Sequence, residues 1–356
     1  MKEQKIRQYP KIKCVIWDCD NTLWDGILAE DQTVMLRQQV VEVIRKLDER
    51  GILQSIASRN NFDDVNKILK QFKIEEFFLY PQIHWGAKSA SVREIIDALN
   101  ISADTVAFVD DQEYERCEVA STFSEILCIA AEDIMEMVSW PCMIPEHMNE
   151  DTRRRRELYQ IDYKRRQSEK AHTGPQEDFL RSLNMEITIS EAVDGDLSRI
   201  IELTERTHQL NTTGYVYTYQ ELEGVICSND KKLFIIGLED NFGSYGKVGM
   251  ILLSVSENLW VIDLFILSCR VMSRGIGSIL ITYIAEKAKE EGVTLQARFV
   301  STERNKAMHL TYRLTGFQYK EEKNGYSIYQ NDFTCIQQRP DYVTLIEKRG
   351  SGIGAR

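Results

Sequence analysis

Between residues 13 and 109, short apolar β-favouring runs alternate with segments of helical spacing, and this alternation restricts the fold more than any other feature of the chain. KCVIW at 13–17 is an apolar run that ends in acidic and turn residues. Val34 to Arg50 has helical spacing and stops at Gly51, and Ile52 to Ala57 reads as a buried strand. Phe62 to Phe72 reads as a helix with Val65, Ile68, Leu69 and Phe72 on its apolar face. Ser89 to Leu99 is a further helix, and Thr105 to Val109 a strand. Strands joined by crossover helices build a parallel sheet. This α/β unit is expected over residues 1–140.

The segment EDTRRRRELYQIDYKRRQSEK is highly charged, and HTGPQ then breaks its pattern. Residues 141–180 therefore read as a charged helical linker, with RRRR as a solvated helix face answered by nearby acids. A different unit is expected over 181–335. Met185 to Ile189 reads as a strand and Asp196 to Thr207 as a helix. Leu233–Leu238, Val248–Val255 and Leu259–Leu267 are consecutive strands. The turn SRGIGS leads into a helix, Ile279 to Glu290, followed by a strand at Leu295 to Val300 and a helix at Lys306 to Leu314. Consecutive strands followed by a central helix give the α+β class. Residues 336–356, ending KRGSGIGAR, are glycine-rich and basic and are expected to form a mobile tail.

A chain of 356 residues has room for two cores. With 44 Lys and Arg against 55 Asp and Glu, the net charge is −11. So acidic a chain is a poor general binder of nucleic acid or anionic lipid, both of which need cationic surfaces. No apolar run reaches the ~18 residues of a membrane span, and MKEQKIRQYPKIK lacks the apolar core of a signal peptide. The expectation is a cytoplasmic protein with no nucleic-acid or membrane partner. Its eight scattered cysteines, with no CxxC pair, are expected as thiols.

WDCDNTLWDG is the most informative stretch. Asp18 and Asp20 follow an apolar strand, and alternation puts them on one side. Thr22 follows two positions later. Ligands of parallel sheets bind at the carboxyl ends of the strands. Two close carboxylates raise each other's proton affinity unless a cation intervenes, and Mg²⁺ prefers such hard oxygen ligands. Ser58 follows the second strand, Lys88 precedes a helix, and Asp110 with Asp111 follows TVAFV. A nucleophile, an acid/base, a hydroxyl, a cation and metal ligands are what phosphoryl transfer requires. The intervals from Thr22 to Ser58 and from Ser58 to Lys88 hold no large lid domain. An open site favours a bulky or tethered substrate, or closure by the second unit.

The order DxDxT, Ser after a strand, Lys, then DD resembles the haloacid dehalogenase superfamily. The resemblance makes Asp18 the nucleophile that takes up phosphate and Asp20 the general acid/base. Thr22, Ser58 and Lys88 would hold the phosphoryl group. Asp18, Asp20 (through its backbone carbonyl), Asp110 and Asp111 would hold Mg²⁺.

In the second unit, DLFILSCRVMSRGIGSILI places a glycine turn between a strand and a helix, where free N–H groups and close backbone approach suit phosphate oxygens. With the later NKAMHLTYRLTGF, it resembles the GNAT acetyltransferases, whose turn holds a pyrophosphate and pantetheine arm. Arg274, Gly275 and Gly277 carry that motif; Met272 stands where the family has Gln or Arg. Cys269, just before the turn, could exchange an acyl group with a carrier thiol, its pKa lowered by the helix N-terminus and by Arg270 or Arg274. Cys19 is a rival, although alternation turns it towards the core. His208 in TERTHQLNTT is a candidate base.

Taken together, WDCDNTLWDGILAED, SIASRNN, WGAK, FVDDQEYER, THQLNTT, LSCRVMSRG and YRLTGF resemble the FkbH-like family. The fold this implies is a Rossmann-like parallel sheet of haloacid dehalogenase type with a minimal cap, followed by a GNAT-like α+β domain. The activity it implies is a glyceryltransferase/phosphatase of polyketide pathways. The glyceryl group of 1,3-bisphosphoglycerate would pass, as a thioester, to the phosphopantetheine thiol of an acyl carrier protein with loss of phosphate. Catalysis would fall to Asp18, Asp20 and Cys269. GYVY after NTT departs from the family, which tends to carry a basic residue there. Two other functions fit the residues: a Mg²⁺ phosphatase on another phosphomonoester, or an acyl-CoA-dependent acyltransferase.

Overall fold

The computed structural model describes residues 9–31, 33–334, 336 and 339–348. It divides into two compact units, Met1–Gln160 and Ile161–Arg356. The helix Arg155–Ala171 begins in one and ends in the other.

The first unit is built on five parallel strands. They are β1 (Cys14–Trp17), β4 (Leu53–Ser58), β5 (Gln82–Ile83), β6 (Val106–Asp110) and β7 (Leu127–Ala130), in the order β5-β4-β1-β6-β7. Every residue of β1, β4 and β6 is buried, as expected of strands covered on both faces. Alternation distributes their side chains. Val15, Trp17, Ala107 and Val109 enter the core on one face; Cys14, Ile16, Val106 and Phe108 enter the core on the other. Gln54, on buried β4, is satisfied because its Oε1 accepts from Trp17 Nε1 at 2.7 Å and its Nε2 donates to Ile52 O. The helix Phe62–Phe72 lies where its periodicity places it. Asn61 caps it by accepting from the N–H groups of Asp63 and Asp64, and Lys73 ends it in the left-handed region.

The expected helix at Val34 to Arg50 is shorter, Gln38–Glu49. Met35–Leu36 instead forms β3, antiparallel to β2 (Trp24–Asp25). This two-stranded hairpin is the only sheet inserted between β1 and β4 among the described residues, so the cap is minimal. The sequence reading omitted β5 and β7.

Among the described residues the second unit holds the strands β8 (Met185–Glu191), β9 (Lys231–Asp240), β10 (Gly243–Val255), β11 (Leu259–Leu267), β12 (Thr294–Phe299), β13 (Phe317–Lys323), β14 (Tyr326–Asn331) and β15 (Val343–Glu347). They form one mixed sheet in the order β13-β14-β12-β11-β10-β9-β8-β15. The chain runs antiparallel from β8 to β11 and then parallel from β11 to β12. A parallel step needs a crossover, which the helix Ile276–Glu290 supplies. That helix buries Ile276, Leu280, Ile281 and Ile284 on one sheet face; the helix Leu197–Arg206 buries Leu197, Ile200, Ile201 and Leu203 on the other. This is the α+β class expected.

One expectation fails. Residues 343–347, assigned to a mobile tail, form β15, which pairs in parallel with Met185–Ile189. VTLIE is apolar enough to join a sheet edge, and the glycine-rich composition of 349–356, which lie outside the described residues, obscured this. No helix among the described residues is long and apolar enough to cross a membrane.

Candidate active site

Four strands of the first unit end on one edge of the sheet, and the predicted polar residues issue from those ends. Asp18 follows β1, Ser58 closes β4, Asp110 closes β6, and Lys88 opens the helix Lys88–Leu99 after β5. Asp18, Ser58, Lys88 and Asp110 are all buried. Lys88 Nζ donates at 2.5 Å to both Asp18 Oδ1 and Asp110 Oδ2. Carboxylate oxygens of Asp18, Asp110 and Asp111 lie within 4.8 Å of one another. One buried ammonium thus bonds two buried carboxylates, with the half-buried carboxylate of Asp111 beside them. Burial pushes the Asp18 carboxyl up to about 7; the Lys88 charge opposes that shift and the Asp110 charge adds to it. Burial, then the charge of Asp110, raises Asp111. Burial works against the Lys88 ammonium, but Asp18 and Asp110 outweigh it, so its pKa is raised and it stays charged.

Asp20 stands apart from this cluster. Its Oδ1 accepts from Trp24 Nε1 at 2.8 Å and Leu28 N at 3.1 Å, and its Oδ2 accepts from Asn60 Nδ2 at 2.9 Å. Asn60 Nδ2 also donates to Ser58 Oγ at 3.2 Å, tying the acid to the predicted phosphate-holding hydroxyl. Trp24 and Asn60 had no role assigned from sequence, although both lie inside the motifs quoted above. Arg116 was missed as well; its Nη1 donates to the carbonyls of Asp110 and Asp111 at 2.7 and 2.9 Å and fixes that loop.

Two buried oxygens make no hydrogen bond among the described residues: Thr22 Oγ1, in the stretch that carries Asp18 and Asp20, and Asp111 Oδ1, in the cluster. Burying such atoms costs free energy unless a ligand satisfies them. A hydroxyl suits a phosphoryl oxygen, and a spare carboxylate oxygen beside two other carboxylates suits a hard cation. The residues present therefore fit Mg²⁺.

In the second unit, parallel pairing of β11 with β12 stops at Ile262 and Ala297. Beyond that point the segment 210–212 engages both strands. Thr212 N donates to Phe265 O at 3.1 Å, Leu267 N donates to Leu210 O at 2.9 Å, and Val300 N donates to Thr212 O at 2.9 Å. Asn305 Nδ2 pins the segment by donating to Asn211 O at 3.0 Å. Neither asparagine had been assigned a role.

Cys269 is half-buried and opens a 3₁₀ helix, Cys269–Arg274. Gly275 follows with φ +71°, which favours glycine, and nothing beyond its chain neighbours lies within 4 Å of where a Cβ would stand. The helix then starts at Ile276, three residues earlier than expected. A Cβ on Gly277 would sit 3.4 Å from both Leu267 and Thr311, an ordinary contact distance. Arg274 does not reach out from the turn. It is buried, its Nη2 donates to Glu169 Oε2 at 3.0 Å, and its guanidinium lies 5.5 Å from the Phe179 ring centre. His208 is exposed in the loop after the helix Leu197–Arg206 rather than on the helix. Cys19 is fully buried; burial first, and the Asp18 charge second, hold its thiol well above the ordinary range.

Residues 21–118 match the family model of haloacid dehalogenase-like hydrolases, a span that contains Thr22, Ser58, Lys88, Asp110 and Asp111. No curated protein matches the chain. Among solved structures, one similar to this chain is the N-terminal part of a Bacteroides fragilis protein containing a phosphatase domain, complexed with Mg. The two are 23% identical over 38% of this chain and 42% of that one, with a TM-score of 0.34. The match thus spans under half of that chain. Another is 3-deoxy-D-manno-octulosonate 8-phosphate phosphatase from Moraxella catarrhalis, with magnesium, phosphate and KDO. It is 19% identical over 31% of this chain and 64% of that one, with a TM-score of 0.26. A third is the PaiA N-acetyltransferase of Thermoplasma acidophilum in complex with coenzyme A, 16% identical over 41% of this chain and 99% of that one, with a TM-score of 0.31.

Proposed function

We propose that the chain is a bifunctional phosphatase and acyltransferase that takes the glyceryl group of 1,3-bisphosphoglycerate, removes phosphate and loads the group as a thioester on an acyl carrier protein of a polyketide-type pathway. The observation that carries this reading is the pair of buried carboxylates, Asp18 and Asp110, on the Lys88 ammonium with the half-buried Asp111 beside them, and the buried oxygens Thr22 Oγ1 and Asp111 Oδ1 left without a partner.

Asp18, Asp110 and Asp111 would hold Mg²⁺, which when bound would shield the nucleophile's charge from that of the incoming phosphate. Asp18 attacks phosphorus, the phosphoester P–O bond breaks, and Asp20 delivers a proton to the departing oxygen. Water then attacks phosphorus of the aspartyl-phosphate, Asp20 takes its proton, and the P–O bond to Asp18 breaks to free inorganic phosphate and the Asp18 carboxylate. Lys88 neutralises phosphoryl oxygens while Ser58 and Thr22 donate hydrogen bonds to them. Trp24, Leu28 N and Asn60 keep Asp20 aimed throughout.

In the second unit, Cys269 as thiolate attacks the acyl-phosphate carbonyl, and inorganic phosphate leaves with the bond electrons. The carrier thiolate then displaces Cys269. Cys19 is the weaker candidate for that step, because its buried thiol is held protonated.

The test is the intact mass of enzyme and carrier protein after exposure to 1,3-bisphosphoglycerate with Mg²⁺. A glyceryl increment is expected on the carrier and, transiently, on the enzyme, and both should vanish in Cys269→Ala. An unchanged adduct in that variant excludes Cys269. Phosphate release without any acylated carrier would overturn the transfer reading.

A further inference from the structure

Four of the exposed large apolar side chains described in the first unit lie on connections that follow its parallel strands. Trp85 is 67% exposed and follows β5; Phe62, 49% exposed, follows β4; Tyr114, 70% exposed, follows β6; Met35, 73% exposed, lies on the hairpin after β1. Each belongs to a connection that leaves the carboxyl end of a strand, and neighbouring strands lie only about 4.8 Å apart. The same ends carry Asp18, Ser58, Lys88 and Asp110.

Trp85 is the best defined of them because its turn is locked. His84 N donates to the carbonyl of Ser58 at 3.1 Å. Gly86 N donates to His84 Nδ1 at 3.0 Å, which leaves His84 Nε2–H to donate to Ser91 Oγ at 3.1 Å. Arg59 Nε donates to Gly86 O at 3.2 Å. A Cβ on Gly86 would stand 2.8 Å from His84 Nδ1, so the turn closes this tightly only with glycine. An indole held in water on so constrained a turn, next to a residue whose backbone N–H bonds the carbonyl of Ser58 and three residues before Lys88, is prepared to receive a flat or apolar group.

Resting on the phosphatase reading above, we propose that Trp85 forms a leaving-group subsite beside the phosphoryl site. It selects phosphomonoesters borne on an extended apolar or flat body over small free ones. A phosphoester presented on a long thioester-linked arm meets that requirement, whereas a free three-carbon phospho-acid leaves the indole bare.

Binding of two non-hydrolysable probes, propylphosphonate and 3-phenylpropylphosphonate, measured by calorimetry in Mg²⁺, tests the proposal; both carry the same anionic head. The phenyl probe is expected to bind about tenfold tighter. Trp85→Ala should bring the two to parity by weakening the phenyl probe alone, and Trp85→Phe should restore most of the preference. Equal affinity in the wild type, an equal loss for both probes in Trp85→Ala, or no binding of either would overturn it. Release of phosphate from 2-phenylethyl phosphate is read separately. A preserved binding preference with no release would count against the phosphatase reading and leave the subsite standing.

Discussion

In the first unit every group of the site leaves the carboxyl end of a strand in one parallel sheet, and the price is electrostatic: three acids and one lysine crowd together, only Asp111 of them partly exposed. In the second unit, the corresponding edge of β11 and β12 is stitched by a segment from elsewhere in the chain, 210–212, and closed by a turn that depends on backbone stereochemistry at Gly275. One region is strained by charge and the other by shape. Changes of charge should therefore dominate in the first, and changes of backbone freedom in the second.

The largest effect is expected from Asp18→Asn, which removes the proposed nucleophile with almost no change of volume. Phosphate release should fall at least about a thousandfold, while circular dichroism stays that of the wild type. Retained turnover would show that the carboxylate cluster is not the reacting centre.

The next concerns pH. The folded-state pKa of Asp18 stands near 7, above the ordinary carboxylate value, so between about pH 4 and 7 the folded protein binds more protons than the unfolded one. Without divalent metal, stability should be greatest at the acid end of that window. It should fall as pH rises and level off above 7, by an amount on the order of a few kcal/mol. Asp111 shifts in the same sense, and Lys88 stays charged throughout. Thermal melts at pH 5.5 and 8 should show the drop, with Mg²⁺ removing most of it and Asp18→Asn flattening it. A metal-free protein that is more stable at pH 8 would contradict the electrostatic half of the comparison.

The smallest is Gly275→Ala. At φ +71° an alanine is strained by about 1 kcal/mol even though nothing lies near the added methyl. The same loss should appear at pH 5.5 and at pH 8 and be indifferent to Mg²⁺. A pH-dependent loss would blur the contrast between the units.

The same contrast explains what could be read without coordinates. Parallel strands buried on both faces announce themselves as apolar runs, and their polar ends fall at fixed offsets, so Asp18, Ser58, Lys88 and Asp110 were legible. Side chains that hold those groups were harder to see. Asn60 and Trp24 reach Asp20 from 40 and 4 residues away, respectively, and only folding shows which oxygen each one holds. Two-residue strands such as Gln82–Ile83 are too short to carry a period. In the second unit, a sequence motif located the turn correctly, but Arg274 turned inward to Glu169, because an arginine stem packs readily beside an aromatic ring such as that of Phe179.

The pairing of Val343–Glu347 with Met185–Ile189 has a practical consequence for anyone engineering this chain. Trimming it back to Arg339 would strip the backbone amides and carbonyls of Met185–Ile189 of their partners on that side. An uncovered edge of this kind recruits strands from other molecules, so shortened versions should self-associate.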